Sequence, residues 1–315
     1  MTLTQLVDSS SESQLARRVW NMLSDESYLL LTDVGAALPS YEAALVASRN
    51  YFRQLAEAKE RDHIRFSDDH RGYVPMGEEG KAGPDADYKE SYDCGWQPIR
   101  SVVASQSNHL SAMPGFETAV TTLWRQLQQL AEVVASLFSQ MLGEDPNYLA
   151  NRASAAPSQL RLLHYFGDDP NRVGVDWHTD YECFTLLVTT SEGLEVRRPE
   201  GSIARVPWQP DSLVVTPGDL TEVLTNGGLK AAAHRVMPLS TERYSMAFFY
   251  ALNWEAQVEP LPRFIGASGR HYPAFPAGEH LLRRTNEGFA YRRRLQASDS
   301  MPEESGASSV HFYQR

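Results

Sequence analysis

The sequence predicts a mainly β protein with flanking helices, built on an antiparallel jelly-roll or barrel core. Three observations carry that expectation. Seven short β-like runs follow one another between residues 158 and 252 with only turns between them. Three helical segments precede these runs and one follows them. The chain has 315 residues, 42% hydrophobic and 22% charged, enough apolar material for one large core.

Taken in order, ESQLARRVWNML (12–23) spaces Leu15, Val19 and Leu23 at helical intervals after a serine-rich start, and YLLLTDV (28–34) reads as a short strand. Residues 39–61, rich in Ala, Leu and Glu, predict one helix. Residues 62–114 carry Gly, Pro and Asp with few apolar runs. They predict a long loop acting as a lid, more mobile than the core. Residues 115–142 predict the longest amphipathic helix, with Val120, Leu123, Leu127, Leu130 and Val134 on one stripe. The β runs then follow as QLRLLHYF, ECFTLLVTT, LEVRR, SIARV, DSLVVTP, AAAHRVM and RYSMAFFYAL. Turn signals such as Pro217-Gly218-Asp219 and Asn226-Gly227-Gly228 separate them. A last helix is expected over about 278–296, then a loose polar segment at 297–309. The expectation is one domain over 1–315: a helical part with the lid (1–157), the β core (158–252) and a C-terminal arm (253–315).

The net charge is −11 and no Lys/Arg stripe occurs, so nucleic acid and anionic membrane surfaces are not expected partners. No apolar stretch approaches the roughly 20 residues of a membrane span, and the start lacks the pattern of a signal peptide. Two cysteines, Cys94 and Cys183, are too few for a disulfide framework or a Cys-based zinc site. The cytoplasm is the default location, and a monomer is compatible with the sequence.

The chemistry is concentrated in DWHTDYECFTLLVTT (176–190). His178 and Asp180 stand two apart where a strand enters an apolar run, so both would project from one face. Alone, the pair reads first as the polar end of a strand meeting solvent. A third ligand would come from another strand, and His234, among the small residues of KAAAHRVM, is the candidate. In RYSMAFFY (243–250), Arg243, Ser245, Ala247 and Phe249 share one face. An arginine buried in so apolar a strand is costly unless an anion pairs with it, and a guanidinium with a hydroxyl two residues on suits a carboxylate. Two histidines and a carboxylate on one metal form the facial triad of non-heme Fe(II) oxygenases, which leaves three coordination positions open.

With these residues in place, the chain resembles the iron(II)/2-oxoglutarate-dependent oxygenases of the isopenicillin-N-synthase-like superfamily. The matching text is RLLHYF (161–166), HTDYECFTLL (178–187), PGDLTEVLTNGGLKAAAHRV (217–236) and RYSMAFF (243–249), with weaker echoes in RGYVPMGEE (71–79) and DYKESYD (87–93). The resemblance covers about residues 25–290. It implies a double-stranded β-helix core of the jelly-roll, cupin-like kind, with Fe(II) held by His178, Asp180 and His234. It implies 2-oxoglutarate and O2 as cosubstrates, the distal carboxylate of the former meeting Arg243 and Ser245. Tyr165 falls on the tyrosine of the family's Asn-x-Tyr motif, which also touches the cosubstrate. Two departures stand out: Leu163 takes the asparagine position, and Phe166-Gly167 replaces the usual Pro-Pro before the metal strand.

The implied reaction is oxidation of an unactivated C–H bond of a small molecule, hydroxylation by default, with release of succinate and CO2. Natural-product biosynthesis is the expected setting. Arg161, Tyr181, Tyr73, Glu79 and Tyr92 are the polar candidates for the substrate pocket, each equally able to be structural. Two rival readings remain open in the sequence. One is an oxidase like isopenicillin N synthase, which uses its Arg-x-Ser on the substrate. The other is a non-catalytic β-barrel that binds a metal or a ligand.

Overall fold

The computed structural model describes residues 1–7, 12–67, 70–81, 83–95 and 113–297. Most of the structure is set by a period of two. Eleven strands form two antiparallel sheets: β1 (Leu29–Thr32), β2 (Gly72–Val74), β3 (Lys89–Gly95), β4 (Gln159–Tyr165), β5 (Val175–His178), β6 (Phe184–Thr189), β7 (Leu194–Arg197), β8 (Ile203–Arg205), β9 (Ser212–Pro217), β10 (His234–Val236) and β11 (Arg243–Tyr250). The larger sheet runs β1-β9-β6-β11-β4-β3-β2, and the smaller runs β5-β10-β7-β8. The two are the walls of a double-stranded β-helix.

Alternation in β11 separates two environments. Tyr244, Met246, Phe248 and Tyr250 belong to the main apolar core, whereas Ala247 and Phe249 pack with Leu163, Tyr165 and Val236 on the opposite face. The helices cover the first face. Among them are α1 (Leu3–Val7), α2 (Glu12–Glu26), α3 (Tyr41–Phe52), α4 (Ala56–Glu60) and α5 (Phe116–Met141). The stripe expected on α5 is buried, and Phe138 lies 4.8 Å from Phe184 of β6, ring to ring. The remaining helices are α6 (Tyr148–Asn151), α7 (Asp219–Leu224), α8 (Ala277–Gly288) and α9 (Ala290–Ala297). One apolar cluster runs from Leu6 to Ala277, and both cysteines are buried and unpaired. Among the described residues no helix is long and apolar enough to cross a membrane.

Three expectations are corrected. The helix over 39–61 is split into α3 and α4, because Leu55 is extended and Lys59 is drawn inward. Its ammonium donates to the Phe52 carbonyl at 3.1 Å and to Glu90 Oε2 at 2.5 Å. The helix over 278–296 is divided at Phe289, whose extended backbone bridges to Glu79 while its ring is buried with Ile64, Val74 and Tyr291.

The largest correction concerns the segment 62–114. Far from being a loop throughout, it supplies β2 and β3, and every residue of β3 is buried. The sequence KESYDCG hides this because its buried charges are paired across the sheet rather than replaced by apolar side chains. Asp93 sits opposite Arg161 and receives Nε and Nη2 at 2.6 and 2.8 Å. Glu90 accepts from the Tyr73 hydroxyl at 2.6 Å and meets His164 Nδ1 at 2.8 Å. Residues 96–112 of the expected lid, and the polar tail beyond 297, lie outside the described residues.

The pairing of β3 with β4 therefore predicts slow hydrogen exchange. In the ligand-free protein, the amides of Lys89–Gly95 should exchange with the slow class of β4. Exchange as fast as that of an exposed loop would contradict their place in the sheet.

Candidate active site

A cavity of about 350 Å³ opens between the two sheets. Its floor is the inward face of β4, β6 and β11, including Arg161, Leu163, Tyr165, Thr185, Leu187, Ala247 and Phe249. Residues 176–182 form one wall, and Leu281 and Thr285 of α8, with Phe289 just beyond its end, form another.

His178, Asp180 and His234 converge at this cavity, each offering one ligand atom, all within 4.8 Å of one another. The histidines face each other across neighbouring strands, since His234 of β10 pairs in register with His178 of β5. His178 Nδ1 lies 2.9 Å from the Asp176 carbonyl and His234 Nδ1 lies 2.8 Å from that of Ala232. Each ring thus donates through Nδ1–H and turns the Nε2 lone pair toward Asp180 Oδ1, at 3.9 and 4.0 Å. Desolvation by the cavity walls, then the neighbouring His234 ring, hold His178 down to about 4, so its imidazole stays neutral near pH 7. Asp180 is not in the strand as the spacing suggested: β5 ends at His178, and Asp180 follows in a turn. That turn is fixed by the backbone N–H of Asp219, which donates to the Asp180 carbonyl at 2.9 Å. Gly218 makes this approach possible, because a Cβ there would lie 2.3 Å from the Glu182 carbonyl. Thr185 donates to Asp180 Oδ2 at 2.5 Å and leaves Oδ1 to the cavity.

Arg243 is 1% exposed, and among the described residues neither of its Nη atoms has a hydrogen-bond partner, while Nε donates to the Ser191 carbonyl at 3.3 Å. Its guanidinium lies 4.9 Å from the ring centroid of Tyr165, which lines the cavity, and Ser245 Oγ is 3.4 Å from the Tyr165 hydroxyl. A buried guanidinium with two idle Nη groups is a site for a carboxylate, which it can grip with two parallel hydrogen bonds. Together with the three-ligand cluster, these residues fit a ferrous ion and a dicarboxylic 2-oxo acid. The departure at Phe166-Gly167 also finds its reason here. Gly167 has φ +69°, and a Cβ would lie 2.0 Å from the Thr241 backbone, so the turn before the metal strand admits only glycine.

The substrate candidates divide. Arg161, Glu79 and Tyr181 line the cavity. Tyr73 and Tyr92 do not: they are opposite each other in β2 and β3, in the row that faces the helices, and Tyr92 packs 4.8 Å from Tyr51 and 5.1 Å from Phe116. Strand parity places them on the wrong side of the sheet. Arg161 is saturated, with Nη1 on Glu79 at 2.6 Å and the rest of its fork on Asp93. Burial pushes Glu79 upward, but Arg161 and Lys89 outweigh it and hold the carboxyl well below the usual range. Sequence reasoning missed Thr185 and Glu182: Glu182 stands two residues beyond Asp180, but the irregular turn that precedes β6 leaves no parity by which to place either of them. Burial, and then the charge of Asp180, push the Glu182 carboxyl up to about 8. It also missed Lys89, for which no local signal exists.

Comparison with known proteins agrees with this geometry. Residues 157–252 match the model of the 2OG-Fe(II) oxygenase superfamily. Those residues carry that superfamily's core. Among its curated relatives is clavatol oxidase claD of Penicillium crustosum, 31% identical over 185 residues, which are 56% of this chain and 55% of that one. The 2-oxoglutarate-dependent dioxygenase citB of Monascus ruber is 29% identical over 268 residues, covering 78% and 80% of the two chains. Among solved structures, a full-length Neurospora crassa protein in complex with α-ketoglutarate and 5-formyluracil superimposes with a TM-score of 0.76 at 25% identity. That match covers 90% of this oxygenase and 94% of the Neurospora chain.

The Thr185 contact can be tested on the oxygenase directly. Removing a hydrogen bond that orients a metal-binding carboxylate typically costs about 10–100-fold in metal affinity, so Thr185→Ala should weaken Mn(II) binding on that scale by calorimetry. Unchanged affinity would show that Asp180 holds its orientation without Thr185.

Proposed function

We propose that this oxygenase holds ferrous iron on His178, Asp180 and His234 and hydroxylates a C–H bond of a small molecule, in natural-product biosynthesis. The observation that carries the reading is Arg243, whose two Nη groups, without a hydrogen-bond partner among the described residues, stand ready for the distal carboxylate of 2-oxoglutarate, with Ser245 and Tyr165 beside it. Bound there, iron and 2-oxoglutarate supply the O2-dependent oxidation, one oxygen atom going to the substrate and the other to succinate as CO2 leaves.

The protein's own residues do the positioning. The Nδ1–H bonds to backbone carbonyls fix both histidine tautomers, and Thr185 fixes the carboxylate. Leu187, Ala247 and Phe249 line the floor with carbon and exclude water from the reacting bond. The match to clavatol oxidase supports a small-molecule substrate. All three segments of the chain would act as one oxygenase unit, since the cavity draws residues from 1–157, 158–252 and 253–315.

His178→Ala, Asp180→Ala and His234→Ala should each abolish turnover and iron uptake, because a three-ligand site has no spare ligand. Near-normal activity with full iron content in any one of them would remove that residue from the site. Arg243→Met should raise the apparent KM for 2-oxoglutarate by about tens to thousands-fold, the usual effect of losing one partner of a desolvated charge pair, and far more than the KM of the primary substrate. If only the primary substrate is affected, Arg243 serves that substrate and the cosubstrate assignment fails.

A further inference from the structure

At the end of the cavity away from Arg243, two side chains that the reading above does not use have their polarity fixed by their neighbours. Gln159 and His70 both line the cavity and are 7% and 2% exposed. Gln159 opens β4 and Tyr165, beside Arg243, closes it, so at about 3.3 Å per residue the two ends lie about 20 Å apart along the strand. Arg71 Nη1 donates to Gln159 Oε1 at 3.0 Å. An arginine can only donate, so this contact fixes the amide and leaves its Nε2 hydrogens to the other side. His70 Nδ1 lies 2.5 Å from the Tyr291 hydroxyl, which already accepts from Arg292 Nε at 3.0 Å. The hydroxyl hydrogen has no other acceptor among the described residues, so Tyr291 donates to Nδ1 and the imidazole carries its hydrogen on Nε2. Among the described residues neither of these Nε2 donors has a hydrogen-bond partner.

His70 is also held at a cost. Its φ is +56°, in the left-handed region that histidine seldom adopts, and its carbonyl accepts from the same Arg71 Nη1 at 3.1 Å. Backbone strain of this kind persists where the surrounding structure over-determines it, and it gathers at ligand sites. Nε2–H is a donor whether the ring is neutral or charged. Burial, then the charges of Arg292, Arg71 and Arg161, hold the ring well below its usual range, so both donors are uncharged. A carboxylate leaving water would need a cation to meet it. Arg161 is instead divided between Asp93 and Glu79, and Lys89 is bonded to Glu79. Phe249, opposite Gln159 in β11, and Phe289, 4.4 Å from the His70 ring, supply apolar walls. We propose that His70 and Gln159 select the substrate by donating to an uncharged carbonyl oxygen carried on an apolar body. This rests on reading the cavity as the oxygenase active site.

The test uses the full chain loaded with Zn(II) and N-oxalylglycine, a redox-inert stand-in for iron and 2-oxoglutarate. Three probes on one ring, cyclohexanone, cyclohexylamine and cyclohexanecarboxylate, are titrated by ligand-observed NMR. Two buried donors left without an acceptor cost about tenfold or more in affinity. The ketone should therefore bind at least about tenfold tighter than the ammonium ion, and tighter than the carboxylate. The carbonyl stretch of the bound ketone should fall below its frequency in cyclohexane, the infrared signature of an accepted hydrogen bond. Gln159→Glu keeps the oxygen that Arg71 holds and removes the donor, and His70→Phe keeps a ring against Phe289 and removes Nε2–H. In each variant the lead of the ketone should shrink by about threefold or more, and its stretch should rise, while N-oxalylglycine binds as in the parent. Tighter binding of the amine or the carboxylate, a stretch that both variants leave unchanged, or no binding of the ketone would overturn the proposal. If one variant does not fold, the other decides; if neither folds, the probe order and the stretch in the parent protein decide. Failure of the protein to take up zinc with N-oxalylglycine would overturn the oxygenase reading, and this inference with it.

Discussion

Each strand of the larger sheet has to satisfy two environments at once, because successive side chains point to opposite faces. One face meets the helices and must be apolar; the other lines a cavity that needs polar groups and must keep each of them partnered. β11 solves this with Tyr244, Met246, Phe248 and Tyr250 outward and Arg243, Ser245, Ala247 and Phe249 inward. A slip of one residue would bury Arg243 among the helices and aim Tyr244 at the cavity, so the same alternation that builds the core also fixes the site's register. The polar row is held by ion pairs where it is not reserved for ligands: Asp93 and Glu79 on Arg161, Glu79 on Lys89. Removing one partner of such a buried pair leaves an uncompensated charge, typically at a cost of about 3–5 kcal/mol. That makes the row rigid.

The cluster of His178, Asp180 and His234 depends on both sheets and on the C-terminal helices. His178 and His234 come from the smaller sheet, and Asp180 from the turn leading into the larger one. Asp219 locks that turn with its backbone, while its side chain meets His280 Nε2 at 3.0 Å and Arg284 Nε at 3.6 Å, both on α8. Arg284 in turn lies 4.5 Å from the Tyr181 ring centroid. The helix that closes the cavity therefore also braces the turn carrying Asp180. Docking of the C-terminal arm and ordering of the site are mechanically linked.

How much of this was legible in the sequence follows from the same alternation. The helices α2 and α5 and the runs of β4, β6, β9 and β11 were readable because their buried rows are apolar. The cluster at His178, Asp180 and His234 was readable because chemistry-bearing residues interrupt those runs, and Arg243 because a charge in an apolar strand demands a partner. β3 was not readable, since Lys89, Glu90 and Asp93 are buried against charges 10 to 74 residues distant in the chain. Tyr73 and Tyr92 misled for a related reason: once the strand was missed, no parity existed to place them on the helix side. The break at Phe289 was hidden too, because its cause is a tertiary bridge to Glu79 rather than a local breaker.

The claim on which the account rests is that one cavity binds iron on the three-ligand cluster and a dicarboxylic 2-oxo acid reaching Arg243. Chelation of a 2-oxo acid to ferrous iron produces a visible charge-transfer absorption, so an anaerobic titration of the Fe(II) protein reads both parts together. The account predicts a band that saturates at one equivalent of 2-oxoglutarate, and a much weaker titration with pyruvate, which chelates alike but lacks the distal carboxylate. No band with either acid, or equal affinity for the two, would contradict it.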